Sequence, residues 1–178
     1  MKNILFFLLS ALLVSCTPKS GQQMVTQNIN QEVLDIDGEP ILLGMIDRAG
    51  LMRENYRSWF QTSYDNHQPA PAVMEDMRGR MADKQFVIFL GTWCTDSHRE
   101  VPHFFKIADA LGIAESQIQM YAVTNDPQKY RTTPQGYENG WDIELVPTII
   151  MLQDGQELGR IVEASYPSLA ENLRDMLP

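Results

Sequence analysis

Phe86-Val87-Ile88-Phe89-Leu90-Gly91-Thr92-Trp93-Cys94-Thr95-Asp96-Ser97 is the stretch on which the reading of this chain turns. Its first part is a short continuous apolar run ending in glycine, the pattern of a strand buried on both faces. Its last residues open a segment that reads as a helix from about Thr95 to Leu111. The cysteine therefore falls at a strand-to-helix turn, where backbone N–H groups and the helix dipole favour a thiolate. A tryptophan precedes it and a hydroxyl, Ser97, follows three residues later.

Outward from this stretch the chain alternates strand and helix. A strand is expected at Ile118–Thr124. A loop-rich segment follows, carrying Pro127, Pro134, Gly136 and Gly140, and leads to a strand at Val146–Leu152. Asp154-Gly155 turns the chain into Glu157–Val162, and a last helix spans about Ser168 to Leu177. Upstream, apolar runs on either side of Asp37-Gly38 predict a small hairpin or extended segment over 33–44. Leu51, Met52, Tyr56, Trp59 and Phe60 recur at helical spacing and predict one helix over Arg48–Tyr64. His67-Gln68-Pro69-Ala70-Pro71-Ala72 breaks it, and a second helix is expected over Ala72–Met81. There are no internal repeats.

The N-terminus reads as a targeting segment. Lys2 is followed by an apolar run, Ile4 to Val14, that is short for a membrane span. It ends in Leu13-Val14-Ser15-Cys16, which resembles a bacterial lipobox whose cysteine is acylated and becomes the mature N-terminus. An ordinary secretory signal or an uncleaved anchor are the alternatives. Residues 16–32, rich in Gln and Asn and without hydrophobic period, read as a flexible tether. The expected organisation is a signal peptide over 1–15, the tether over 16–32, an N-terminal extension over 33–84 and a main domain over 85–178.

The 178 residues suffice for one domain with a sizeable core. A formal charge of −9 with no basic cluster argues against a nucleic-acid surface. Only Cys16 and Cys94 exist. If Cys16 carries lipid, Cys94 is the sole thiol and no intramolecular disulfide can form, an arrangement worth noting in an oxidising compartment.

From Phe86 onward, the β-α-β-loop-β-β-α order, with Trp93-Cys94 at the first turn, resembles the thioredoxin family. Pro102, eight residues after Cys94, matches a proline inside the active-site helix. Val146-Pro147-Thr148 matches the cis-proline loop that faces the catalytic sulfur, and Asp154-Gly155 through Val162 matches the closing hairpin. The resemblance implies an α/β fold, a central mixed sheet flanked by helices with an N-terminal helical extension. The whole layout is similar to thioredoxin-like lipoproteins of Bacteroidetes-type bacteria. Two departures stand out: the usual Cys-x-x-Cys is Cys94-Thr95-Asp96-Ser97, and the buried acid found in many thioredoxins six residues before the nucleophile is Ile88 here.

The chemistry follows from the missing sulfur. A Cys94 thiolate can attack a disulfide and form a mixed disulfide. A second thiol would resolve it at high effective molarity, whereas Ser97 can only hydrogen-bond the sulfur. Asp96 either opposes thiolate formation or, the favoured reading, caps the helix. His98 shares a helix face with Cys94; it is read as a solvated surface residue, with thiolate stabilisation or metal ligation as alternatives. Trp93 is expected to shield the sulfur and offer a partner an apolar contact. Trp59 and Trp141 read as core or rim, and His67 and His103 as structural or exposed.

Two functions remain open. The first is a membrane-anchored monothiol thioredoxin-like protein in thiol-disulfide exchange. In it Cys94 acts with Ser97, while Trp93, Val146, Pro147 and Thr148 form the docking edge and Asp96 and His98 modulate. Its partners would be exported cysteine-containing proteins or low-molecular-weight thiols, and its place the cell envelope, facing the periplasm. The second is a non-catalytic binding module on the same fold, with Cys94 a relic. No cofactor or metal is expected in either.

Overall fold

The computed structural model describes residues 28–178. The readings for residues 1–15, for Cys16 and for the tether up to residue 27 lie outside the described residues. The elements are β1 (Gln31–Leu34), β2 (Pro40–Ile46), α1 (Arg48–Leu51), α2 (Glu54–Asn66), α3 (Pro71–Met77), β3 (Lys84–Leu90), α4 (Thr95–Leu111), β4 (Ile118–Ala122), β5 (Thr148–Gln153), β6 (Gln156–Val162) and α5 (Leu169–Asp175). A single 3-10 turn, Glu115–Gln117, precedes β4.

Six strands form one mixed sheet in the order β1-β2-β4-β3-β5-β6. β3 runs parallel to β4, the pair joined through α4, and antiparallel to β5. The remaining neighbours are antiparallel. The Asp35–Glu39 turn forms the expected hairpin: the Asp35 carboxylate accepts the amides of Asp37 and Glu39, a local bond that acidic turn residues make readily. This hairpin does more than precede the domain, because β2 zips onto the outer edge of β4. The extension thus supplies two strands to the sheet as well as its helices.

Alternation along β3 sorts the core into two layers. Phe86, Ile88 and Leu90 face the helices, where they meet Phe104 and Phe105 of α4, Tyr56 and Phe60 of α2 and Leu173 of α5. Val87 and Phe89 face the other way, into a smaller cluster with Val123, Val146 and Ile150. That second layer is roofed by Tyr137, Trp141 and Ile143 from the segment between β4 and β5, not by a helix. The arrangement is the thioredoxin-like α/β fold, a mixed sheet flanked by helices.

Four boundaries differ from expectation. The helix expected over Ala72–Met81 is α3, Pro71–Met77, which stops where Arg78 leaves helical conformation. The Arg48–Tyr64 helix is two helices. Asp47 caps α1 by accepting the Gly50 amide, and the chain turns extended at Arg53 before α2 begins. The break lets Arg53 donate to the Asn30 carbonyl at 2.6 Å, while Asn30 and Asp47 bond to each other. β4 ends at Ala122, beyond which Val123 and Thr124 still bond to Leu90 and to Thr132. β5 begins at Thr148, because Pro147 has no N–H for a ladder.

Candidate functional site

Cys94 is the N-cap residue of α4, in extended conformation, with the helix starting at Thr95. It is half-buried and is the free cysteine of the described residues. Its thiol donates to the carbonyl of Val146 at 3.2 Å, and the Val146–Pro147 peptide bond is cis. The sheet explains the meeting: β3 leads into Trp93-Cys94, the Val146-Pro147 loop leads into β5, and the two strands are antiparallel neighbours with Phe89 opposite Thr148. Residues 52 apart in sequence are brought together by that register. Val146, Pro147 and Thr148 are all buried, and Thr148 Oγ1 donates to the Leu145 carbonyl at 2.7 Å, closing the loop on itself.

Ser97 does not bond the sulfur. It is completely buried, and its hydroxyl accepts the Gly91 amide at 3.2 Å. Gly91 has just left β3, so its N–H has lost its ladder partner, and an unpaired buried amide is costly. The serine hydroxyl fills that gap. Its expected role as a partner of Cys94 is therefore corrected: no hydrogen bond joins the two among the described residues.

Asp96 does not cap the helix, a position Cys94 holds. It lies in the first turn, where its charge suits the helix dipole, and pairs with Arg99 at 2.8 Å. The same arginine binds Glu100 at 2.8 Å. His98 is not a solvated surface residue. Its Nε2 lies 2.7 Å from the Thr92 carbonyl, and its ring stacks on Trp59 of α2 with centroids 4.2 Å apart. The imidazole is engaged by the loop before Cys94 and by the extension. No group of metal-ligating side chains occurs among the described residues.

Trp93 folds back along the chain. Its indole N–H donates to the Val123 carbonyl at 2.9 Å, the ring crosses Gly91, and Tyr130 lies 5.5 Å away. It packs with Cys94 in the smaller core cluster. A groove of about 500 Å³ opens beside it, between this turn and the extension.

Four contributors escaped the sequence reading. Thr92 Oγ1 accepts the Leu42 amide of β2 at 3.0 Å, tying the turn to the hairpin. Trp59 holds His98. Glu100, only 2% exposed, accepts from Ser165 at 2.9 Å and links α4 to the loop before α5. Tyr130 flanks Trp93. Helical periodicity placed Trp59 near the core, but no local pattern announces a partner 39 positions away.

No protein-family model matches the chain. Among curated proteins, thioredoxin H9 of Arabidopsis thaliana is 25% identical over 89 residues, covering 50% of this chain and 56% of the plant protein. The chain thus spans little more than half of that relative's length, and the match supports a distant thioredoxin-like relationship. Among solved structures, a protein of unknown function from Pseudomonas aeruginosa (15% identity, 65% of each chain, TM-score 0.39) shares partial likeness. So does an HIV epitope scaffold (15%, 61% of each chain, TM-score 0.38). Scores this low carry no weight for fold or function.

Proposed function

We propose that the chain is a monothiol thioredoxin-like protein that exchanges disulfides through Cys94, held at a membrane by lipid on Cys16 in a bacterial cell envelope. The observation that carries this reading is the placement of a half-buried thiol at the N-cap of α4, against the backbone of the cis Val146–Pro147 loop. The anchor rests on the lipobox-like Leu13-Val14-Ser15-Cys16. No helix among the described residues is long and apolar enough to cross a membrane.

The chemistry balances as an exchange. The Cys94 thiol leaves the Val146 carbonyl, loses its proton and attacks one sulfur of a substrate disulfide. A new S–S bond joins Cys94 to that half, and the other sulfur departs as thiolate and takes up a proton. An external thiolate then attacks the substrate sulfur of the mixed disulfide. The Cys94–substrate bond breaks, and the site is regenerated with no net redox change. Trp93 and the backbone of the Val146-Pro147-Thr148 loop, whose side chains are buried, form the docking edge. Ser97 acts through the backbone of the turn, Asp96 and Arg99 set local charge, and His98 holds Thr92 and Trp59 in register. The partners are exported cysteine-containing proteins or small thiols.

Incubation with glutathione disulfide, followed by intact-mass measurement, tests the reading. One glutathione adduct is expected, on Cys94 and absent in Cys94→Ala. No adduct across neutral to alkaline pH would refute it. The binding-module alternative draws on the thiol's resting bond to Val146. It predicts that Cys94→Ala leaves the cellular role intact while substitutions at Trp93 and Pro147 abolish partner binding.

A further inference from the structure

The groove beside Trp93 is built by two parts of the chain. Tyr56 and Trp59 of α2, Trp93 of the turn and His98 of α4 put aromatic rings into its lining. Asp35 and Glu39 of the β1–β2 hairpin stand at it, and no lysine or arginine lines it. Asp35 is held ionised: the Asn125 amide donates to it at 2.7 Å and, with the Glu39 amide, keeps its carboxyl below the ordinary aspartate value. Glu39 uses its backbone in that turn, and its side chain is exposed. Glu32, which does not line the groove, accepts from the Tyr56 hydroxyl at 2.9 Å. Asn125 also lines the groove, with its Nδ2 committed to Asp35.

Aromatic faces and fixed negative charge together define a receptor for a cation bearing N–H groups on an apolar stem. Lysine and arginine side chains have this chemistry, and an aromatic wall favours them through cation–π attraction. Trp93, which lines the groove, directly precedes Cys94, so the groove lies next to the reacting residue in the chain. The chain's formal charge of −9 also draws such a partner in.

We propose that this groove selects substrate polypeptides carrying a lysine or arginine within a few residues of the reacting cysteine. The proposal rests on the exchange reading of Cys94, and its test separates the two. Three matched peptides, with two Arg, two Gln or two Glu beside one cysteine held as a mixed disulfide with glutathione, are offered to the full-length protein. The rate of peptide transfer to Cys94 is measured at low and high salt. The Arg peptide is expected to react about tenfold faster than the Glu peptide at low salt, as steering by complementary charge allows. The advantage should shrink at high salt and in Glu39→Gln, and reverse in Glu39→Lys. In a second arm, cysteine is replaced by serine in each peptide and binding is followed by tryptophan fluorescence. The Arg peptide should bind tightest, and Glu39→Lys should weaken it. Equal rates for the three peptides, or equal binding in the second arm, overturn the groove's assignment. Arg-selective binding with no transfer to Cys94 supports the groove and overturns the exchange reading instead.

Discussion

Gly91→Ala is the sharpest probe of the turn that carries Cys94. A Cβ on Gly91 would lie 2.5 Å from Cε2, 2.7 Å from Nε1 and 2.9 Å from Cζ2 of the Trp93 indole. Carbon atoms rest at about 3.5 Å or more, so the ring must withdraw by about 1 Å. It is not free to do so, because its N–H is anchored to the Val123 carbonyl at 2.9 Å. Withdrawal stretches that bond past the hydrogen-bonding range of about 3.2 Å. Forced overpacking costs about 1–3 kcal/mol, and the lost bond adds about 0.5–1.5 kcal/mol. Gly91→Ala should therefore destabilise the protein by about 1.5–4.5 kcal/mol, measured by urea unfolding with thiol reductant present. The reasoning is decided by a double-mutant cycle. In a Trp93→Ala background the obstructing ring is gone, and the same substitution should cost less than about 1 kcal/mol. Equal costs in the two backgrounds would show that the indole does not rest over Gly91 and refute the argument.

Ser97→Ala strands the buried Gly91 amide and should cost about 1–3 kcal/mol. Alkylation of Cys94 at fixed pH should stay within about twofold, since the hydroxyl serves the backbone; a large change in reactivity would contradict the assignment. His67 predicts an acid-sensitive stability. Its ring stacks on His103 at 3.9 Å with Nε2 buried and unpartnered, and burial, then the His103 charge, hold its pKa at about 4, against an ordinary 6.5. The unfolded chain therefore binds the proton first. Stability is whole above pH 6.5 and falls as pH drops toward 4. The full shift corresponds to about 3 kcal/mol, which partial exposure reduces to about 1–2 kcal/mol. His67→Phe should keep the stack and flatten this limb between pH 7 and pH 4.5 in urea melts; an unchanged pH slope would count against it.

What the sequence carried legibly was local. The five-residue apolar run and its terminal glycine located β3, and α4 spans the expected Thr95–Leu111. The Asp-Gly turn located the hairpin, and Val146-Pro147 the loop facing the thiol. What it did not carry was pairing at a distance. Nothing in Pro40–Ile46 says that it will add to β4, a strand formed some 70 residues later. The split between α1 and α2 depends on Asn30 bonding Asp47, a contact that helical periodicity cannot report. At the site, spacing correctly put Ser97 and His98 near Cys94 in the chain, yet spacing cannot choose among hydrogen-bond partners. Ser97 went to an amide stranded at a strand end, and His98 to a carbonyl and to a tryptophan of the extension. Asp96, one turn from Arg99, found a cation before it could serve as a cap.

The bond from the Leu42 amide to Thr92 Oγ1 gives the molecule a reporter of its own. Leu42 lies in the hairpin, 50 residues from the turn, and its proton is shielded by the hydroxyl next to Trp93. Deuterium can replace that proton only when the turn at Thr92 and β2 part. The exchange rate at this one backbone position therefore times the separation of the thiol-bearing turn from the hairpin, with no label on the sulfur and no substrate present.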